Sequence, residues 1–234
     1  MCGRFSQAAR MDQYLLELDF ITRAQAPHAP ASPARYNIAP TTRVPLLHSD
    51  EQGLHITSAR WGWSPVWAKG KRPPPINARV ETVATSRFFK SLWPTGRALI
   101  PADGWYEWVK DPQHPTLKQP WFIHLRSDAP LFFAALAQVG SENEGFVIIT
   151  DASDQGMVDI HDRRPIVLAP DAARGWLDPA LSTAQAEALA RHEGRPVADF
   201  AWHPVGREVG NVRNEGPHLI LPLSASDSAQ GSLL

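Results

Sequence analysis

The segment "MCGRF" carries Cys2, the only cysteine among 234 residues, directly behind the initiating methionine. Removal of Met1, which bacterial processing allows before a small second residue, would leave Cys2 with a free amine and a thiol on adjacent carbons. No internal cysteine offers that pair. Reference pKa values of about 7.7–8.0 for the amine and about 8.5 for the thiol make useful minorities of both nucleophilic at neutral pH. An aldehyde is their natural target: the amine condenses to a Schiff base, and the thiolate then closes onto the same carbon to give a five-membered thiazolidine. On a sugar aldehyde the Schiff base alone promotes elimination of the neighbouring phosphate, whereas the closed ring has no iminium and suppresses that cleavage. A free cysteine is also commonly a small buried residue, and position alone leaves both readings open.

Four other segments, "RYNIAP", "INARVET", "PADGWYEW" and "DIHDRRP", are rich in groups that orient carbonyls and move protons. They supply an amide (Asn77), a carboxylate (Glu107) and an imidazole (His161), the last titrating near neutrality. Singly each admits a structural role: a turn after "PPP" for Asn77, an arginine partner for Glu107, a cap or packed ring for His161. His161 and Asp162 lack partners at metal-ligand spacing, and one cysteine cannot build a thiolate cage. With no Walker-type or dinucleotide glycine motif either, no metal and no cofactor is expected.

The elements that must position these groups are legible in outline. Ser6 is placed to cap a helix through about Phe20, with Met11, Leu15 and Leu18 at helical spacing. The proline-rich "APHAPASPARYNIAPTTRVP" reads as a loop crossing the surface of one domain. Strand-like segments follow in "VPLLHS", "LHITSARWGW", "RALIPADGWYEW", "WFIHLR", "LFFAALAQV" and "GFVIIT", with "KDPQHPTLKQP" as a hairpin loop. Helices are expected in "TSRFFKSLW" and in "STAQAEALARH", the latter capped by Ser182 or Thr183 and ended by Gly194. Strands outnumber helices and rarely alternate with them, which predicts an α+β fold: one domain over residues 1–223 with a mainly antiparallel core. The small polar residues 224–234 read as a disordered tail.

A formal net charge of −1 excludes a generally basic surface as the argument for nucleic acid. Any such case is local, and only five of the 23 basic residues are lysines, which leaves 18 arginines, the side chain suited to forked contacts with phosphate. One cysteine permits no internal disulfide, the longest apolar run, "LFFAALA", is too short to span a bilayer, and no secretory signal opens the chain. A cytoplasmic protein, nucleoid-associated when bound to DNA, is expected.

Taken in order, "MCGRF", "RYNIAP", "WGWSPVW", "INARVET", "PADGWYEW", "DIHDRRP" and "VGNVRN" resemble the SOS-response-associated peptidase (SRAP) family of abasic-site processing proteins, from Met1 to about Leu223. The resemblance implies a barrel-like, largely antiparallel β core with peripheral helices, and a monomer that captures abasic sites in single-stranded DNA through Cys2 as a thiazolidine. It implies Cys2 as nucleophile, Asn77 as the group orienting the amine or sugar oxygen, Glu107 as proton manager at the amine, and His161 as the acid/base that opens the cyclic sugar. It further implies that Arg4, Arg79, Arg87 and Arg163 grip phosphates, that Asn37, Pro40 and Thr150 shape the channel, and that Trp67 stacks on a base or wedges a duplex end. Here Ala68 follows Trp67 where some relatives carry a second aromatic, and "KGKR" supplies positive charge instead. The peptidase label implies self-removal of Met1; ordinary aminopeptidase processing gives the same product. Two other classes remain open: a thiol peptidase in which His161 activates an N-terminal Cys2, and a non-covalent single-strand-binding module.

Overall fold

The computed structural model describes residues 2–28, 32–110 and 116–223. In chain order the strands are β1 (Phe5–Gln7), β2 (Arg35–Ile38), β3 (Arg43–Asp50), β4 (Gly53–Arg60), β5 (Asn77–Arg79), β6 (Arg97–Ala102), β7 (Gly104–Lys110), β8 (Lys118–Leu125), β9 (Leu131–Gln138), β10 (Gly145–Ala152), β11 (Arg163–Pro165) and β12 (Phe200–Pro204). The helices are α1 (Met11–Glu17), α2 (Pro170–Leu177) and α3 (Thr183–His192). Two sheets form. One runs β12-β8-β7-β1-β2; the other runs β11-β10-β9-β6-β3-β4, with β5 added parallel to β10. All other strand pairs are antiparallel. The α+β expectation holds, but the barrel-like closure does not: the two sheets stay separate.

The continuous apolar run of β9 explains the layering. Phe132, Ala134 and Leu136 face one core cluster, with Met11, Trp176, Leu177 and Ala186 of the helices. Leu131, Phe133, Ala135 and Ala137 face the other, with Phe5, Trp105, Ile123 and Phe200 of the five-stranded sheet. Alternating side chains on a strand point to opposite faces, so a strand buried on both sides reads as unbroken hydrophobicity. The larger sheet is therefore the middle layer, helices on one face and the smaller sheet on the other. Edge-on aromatic pairs such as Phe5–Trp61 at 5.0 Å and Trp105–Phe200 at 5.4 Å fill the inter-sheet core.

Local departures from the sequence expectations have physical causes. Ser6 caps no helix, because Phe5–Gln7 is consumed in pairing with β2 and β7; helix α1 starts at Met11 behind Arg10. Ser6 Oγ instead donates to Asp103 Oδ2 at 3.0 Å. The proline-rich stretch is not wholly loop, since "RYNI" forms β2; residues 29–31 lie outside the described residues. "TSRFFKSLW" buries Phe88, Phe89, Leu92 and Trp93 as a helix would, but its backbone is a series of single hydrogen-bonded turns. So short a segment, rich in aromatics, gains little from helix propagation and is set by packing. α3 follows expectation, with Ser182 Oγ accepting from the Gln185 amide, although Glu193 ends it and Gly194 lies one residue beyond. "LHITSARWGW" ends as a strand at Arg60 and "RALIPADGWYEW" divides at Asp103 into β6 and β7. β7 and β8 pair antiparallel as a hairpin would require; residues 111–115 of its loop, and the tail 224–234, fall outside the described residues. Gly104 is obligatory: a Cβ there would lie 2.3 Å from the Phe122 ring and 2.5 Å from the Ile123 carbonyl oxygen. No described helix is long and apolar enough to cross a membrane.

Candidate active site

The start of the chain is threaded between the sheets. The Tyr106 amide donates to the Arg4 carbonyl at 2.9 Å, extending the β1–β7 pairing toward the terminus and bringing Cys2 to the side of Glu107. Cys2 is a free cysteine and fully buried. Burial pushes its thiol pKa well up, the Glu107 charge adds to this, and the positive amino terminus opposes it. The sulfur is therefore held as a thiol at neutral pH.

Asn77 opens β5, whose parallel pairing sets Asn77 opposite Ile148 and Arg79 opposite Thr150. Its Nδ2 donates to the Cys2 carbonyl at 2.9 Å across 75 positions of sequence, so the Cys2–Gly3 peptide group is fixed by a distant segment. The Asn77 Oδ1 is buried and accepts no hydrogen bond from the described residues. An amide that holds the cysteine carbonyl with one end and keeps an acceptor in reserve suits an incoming amine or hydroxyl.

Glu107 sits on β7 and is almost completely buried. Burial pushes its carboxyl up to about 7; attraction to the positive amino terminus pulls it down, and Asp162 pushes it up again. It is thus balanced between acid and base at neutral pH, the condition that proton transfer favours. His161 follows a 3-10 turn over Gln155–Asp159, its amide donating to the Met157 carbonyl at 3.1 Å. Burial and the amino-terminal charge lower its pKa, with Asp162 opposing, so the ring is neutral at pH 7. Two groups compete for its Nδ1: the Arg163 amide N–H at 3.0 Å and the Asp162 carboxylate oxygen at 2.7 Å. The amide needs a lone pair there and the carboxylate a proton. The amide bond to Nδ1 goes with a ring proton on Nε2, and the carboxylate contact with a ring proton on Nδ1.

The arginines divide into two kinds. Arg4 NH1 donates to Asn37 Oδ1 and to the Val209 carbonyl, both at 2.7 Å, and its guanidinium lies 5.5 Å from the Trp108 ring. Asn37, buried, reaches on to the Val209, Asn211 and Asn214 carbonyls; this is why "RYNIAP" and "VGNVRN" occur together. Arg163 is buried, its fork taken by Glu81 and its NH2 also donating to the Thr150 carbonyl at 2.7 Å. Thr150 is itself fully buried and Pro40 partly so. Arg79 and Arg87, by contrast, are exposed. The four residues expected to do chemistry are thus drawn toward one terminus, while Arg4, Asn37, Thr150 and Arg163 are bonded within the chain. Half-exposed Trp67 stands on the 3-10 turn Val66–Ala68 with the Arg87 guanidinium 4.9 Å from its ring centre and Phe88 edge-on at 5.7 Å. Sequence reasoning missed Glu81 and Asp103. Glu81 was signalled by a carboxylate inside "INARVET" facing an arginine-bearing motif; Asp103, which accepts from Ser6, Ala8 and Tyr14, had no comparable signal. Among the described residues no cluster of three His, Cys, Asp or Glu side chains could hold a metal.

A two-sheet α+β fold whose second residue is gripped by a distant asparagine beside a buried carboxyl and an imidazole defines a particular class. The pattern of the family described as "SOS response associated peptidase (SRAP)" matches residues 1–212, and the chain belongs to that family. It is 47% identical over 227 residues to abasic site processing protein YedK of Escherichia coli (strain K12), covering 95% of this chain and 100% of that one. It is 30% identical over 227 residues to abasic site processing protein YoqW of Bacillus subtilis (strain 168), covering 94% and 99%. Among solved structures, a phage-related protein of Bordetella bronchiseptica superposes with a TM-score of 0.74 at 38% identity, over 88% of this chain and 95% of that one. A Bacteroides thetaiotaomicron protein at 19% identity, covering 95% and 100%, shares the fold with the same TM-score.

Proposed function

We propose that this protein captures abasic sites in single-stranded DNA, after loss of Met1, by a covalent bond to Cys2, and so shields the site from strand cleavage. The carrying observation is the Asn77 Nδ2 bond to the Cys2 carbonyl, which fixes the cysteine beside Glu107. Terminal placement matters for an aldehyde trap and is superfluous for a peptidase, where a thiolate alone would serve; the strongly raised thiol pKa also disfavours that reading.

The chemistry balances without a cofactor. His161 acts as the acid/base that relays the proton of the anomeric hydroxyl to the ring oxygen of the closed sugar, which opens the ring and releases the aldehyde with no net change in the imidazole. The Cys2 amine, relieved of a proton by Glu107, adds to that carbon; loss of water gives the Schiff base. The thiol then adds across the C=N bond, sulfur bonding carbon while its proton passes to nitrogen. The net change is aldehyde plus aminothiol to thiazolidine plus water. A sulfur kept protonated until the imine forms makes the amine first and the thiol second. Cys2 is fully buried in the chain that carries Met1, so the reading also requires that processing open the site. Exposed Arg79 and Arg87 are the phosphate contacts, acting on any sequence alike, with Trp67 beside them as a stacking surface. Abasic single strands are the partner, the monomer the working form and the cytoplasm the place.

Intact-mass analysis before and after incubation with a single strand bearing one abasic site tests the reading. The expected product is the chain without Met1 plus the DNA minus one water. Unchanged protein, or an adduct equally abundant with Cys2→Ala and no reductant, overturns it.

A further inference from the structure

Arg163 ties together three pieces of the site. Its guanidinium is forked by Glu81, NH1 to Oε1 and NH2 to Oε2, the latter at 2.9 Å. NH2 also donates to the Thr150 carbonyl on β10, which accepts from the Val80 amide at 2.9 Å as well. Glu81 lies two residues past β5, the strand that presents Asn77, and Arg163 opens β11, two residues past His161. The Arg163 amide is the one that donates to His161 Nδ1 at 3.0 Å. Bidentate carboxylate–guanidinium pairs fix orientation as well as distance, and only a tenth of the Arg163 side chain is exposed, which limits screening by water. Arg191 adds a second tie through its NH2 to the Glu81 carbonyl at 3.2 Å.

We propose that Glu81 is a positioning residue: by clamping Arg163 it holds the strand bearing Asn77 against the turn bearing His161 and keeps the Arg163 amide on His161 Nδ1. Glu81 acts through Arg163, by keeping the Arg163 amide on His161 Nδ1. Releasing Arg163 frees the amide to leave, and Asp162 then takes Nδ1 with a proton on it. The charged groups that act on the imidazole are the chain's amino terminus and Asp162, with the Arg163 amide on Nδ1; Glu81 reaches it through Arg163. Losing a hydrogen bond to the neutral ring raises its pKa.

The proposal rests on the crosslinking reading, and the test separates the two. Glu81→Gln keeps the shape and loses the charge; Glu81→Asp keeps the charge on a shorter arm. At saturating abasic DNA, Glu81→Gln should slow crosslinking by about tenfold, within the roughly hundredfold that small misplacements cost. Glu81→Asp should recover part of the loss, and affinity for an intact strand should stay within about twofold of the parent in both. In the DNA-free protein, the His161 ring resonances followed by NMR should show a midpoint raised by about half a pH unit in Glu81→Gln, since the bond to the neutral ring is what is lost. An unchanged rate or an unchanged midpoint overturns the proposal. So does tighter binding of intact DNA by Glu81→Gln with a steeper salt dependence, which would make Glu81 the occupant of a phosphate seat. If the parent forms no crosslink, the functional reading fails, and the NMR midpoint still decides the role of Glu81.

Discussion

Replacing Glu107 by glutamine separates what the carboxyl does for catalysis from what it does to stability. Burial holds its pKa at about 7 in the folded protein against an ordinary 4.5. In the unfolded chain the proton leaves near 4.5, whereas the folded chain keeps it until about 7. Between those values the folded state binds more protons, so stability falls as pH rises, and the fall is complete above about pH 8. A difference of about 2.5 between the two pKa values, at 1.36 kcal/mol each, is about 3 kcal/mol. The side chain is only 4% exposed, so solvent screening removes little of it. Glutamine carries no such penalty. Urea unfolding of parent and Glu107→Gln from pH 4.5 to 8 should therefore show the variant gaining about 3 kcal/mol on the parent across the range. Crosslinking should move the opposite way: the variant falls furthest behind above pH 7, where the parent carboxylate is free to take the amine proton. A stability difference constant with pH to within about 0.5 kcal/mol would falsify the burial argument, and equal crosslinking rates at pH 8 would remove Glu107 from the chemistry.

Cys2→Ala retains an amine without a thiol, so it should give only an adduct trapped by borohydride, with strand cleavage restored on a denaturing gel. His161→Ala should slow both formation and release of the adduct, each by roughly a hundredfold where ring opening limits the rate; release unaffected by the substitution contradicts a shared ring-opened state. Arg79→Ala should weaken intact and abasic strands alike and lower the salt slope by about 0.7, the value for one phosphate on a single strand, as read by titration at several salt concentrations. Asn77→Asp keeps an acceptor but loses the donor to the Cys2 carbonyl, and single-turnover kinetics should show slower crosslinking with affinity unchanged.

The sequence made the chemistry more legible than the scaffold. Cys2, Asn77, Glu107 and His161 stand out because each belongs to a dense, unusual motif. Strands β3, β4 and β6 through β10 are visible because they are long enough to show an extended run of strand-forming residues. What escaped has a common cause. β1, β2, β5 and β11 are three or four residues long, too short for any periodicity, and owe their form to neighbours supplied by distant segments. Ser6 met every local rule for a helix cap, yet pairing with β2 and β7 outweighed it. The separate roles of the arginines were equally hidden, because nothing in "DIHDRRP" tells that Arg163 turns inward to Glu81 while Arg79 turns out.

The contact between Asn77 and Cys2, and the clamp beyond it, join residues that leave the ribosome far apart in time. Some 160 residues separate Cys2 from Arg163, which at about 5–20 residues per second is roughly 8–32 s of synthesis. For about the first hundred residues of that interval the terminus has no β7 to fold against, and until its end no β11. Once the later strands arrive Cys2 is enclosed. The end of the chain that is made first is thus covered only by strands that are made much later.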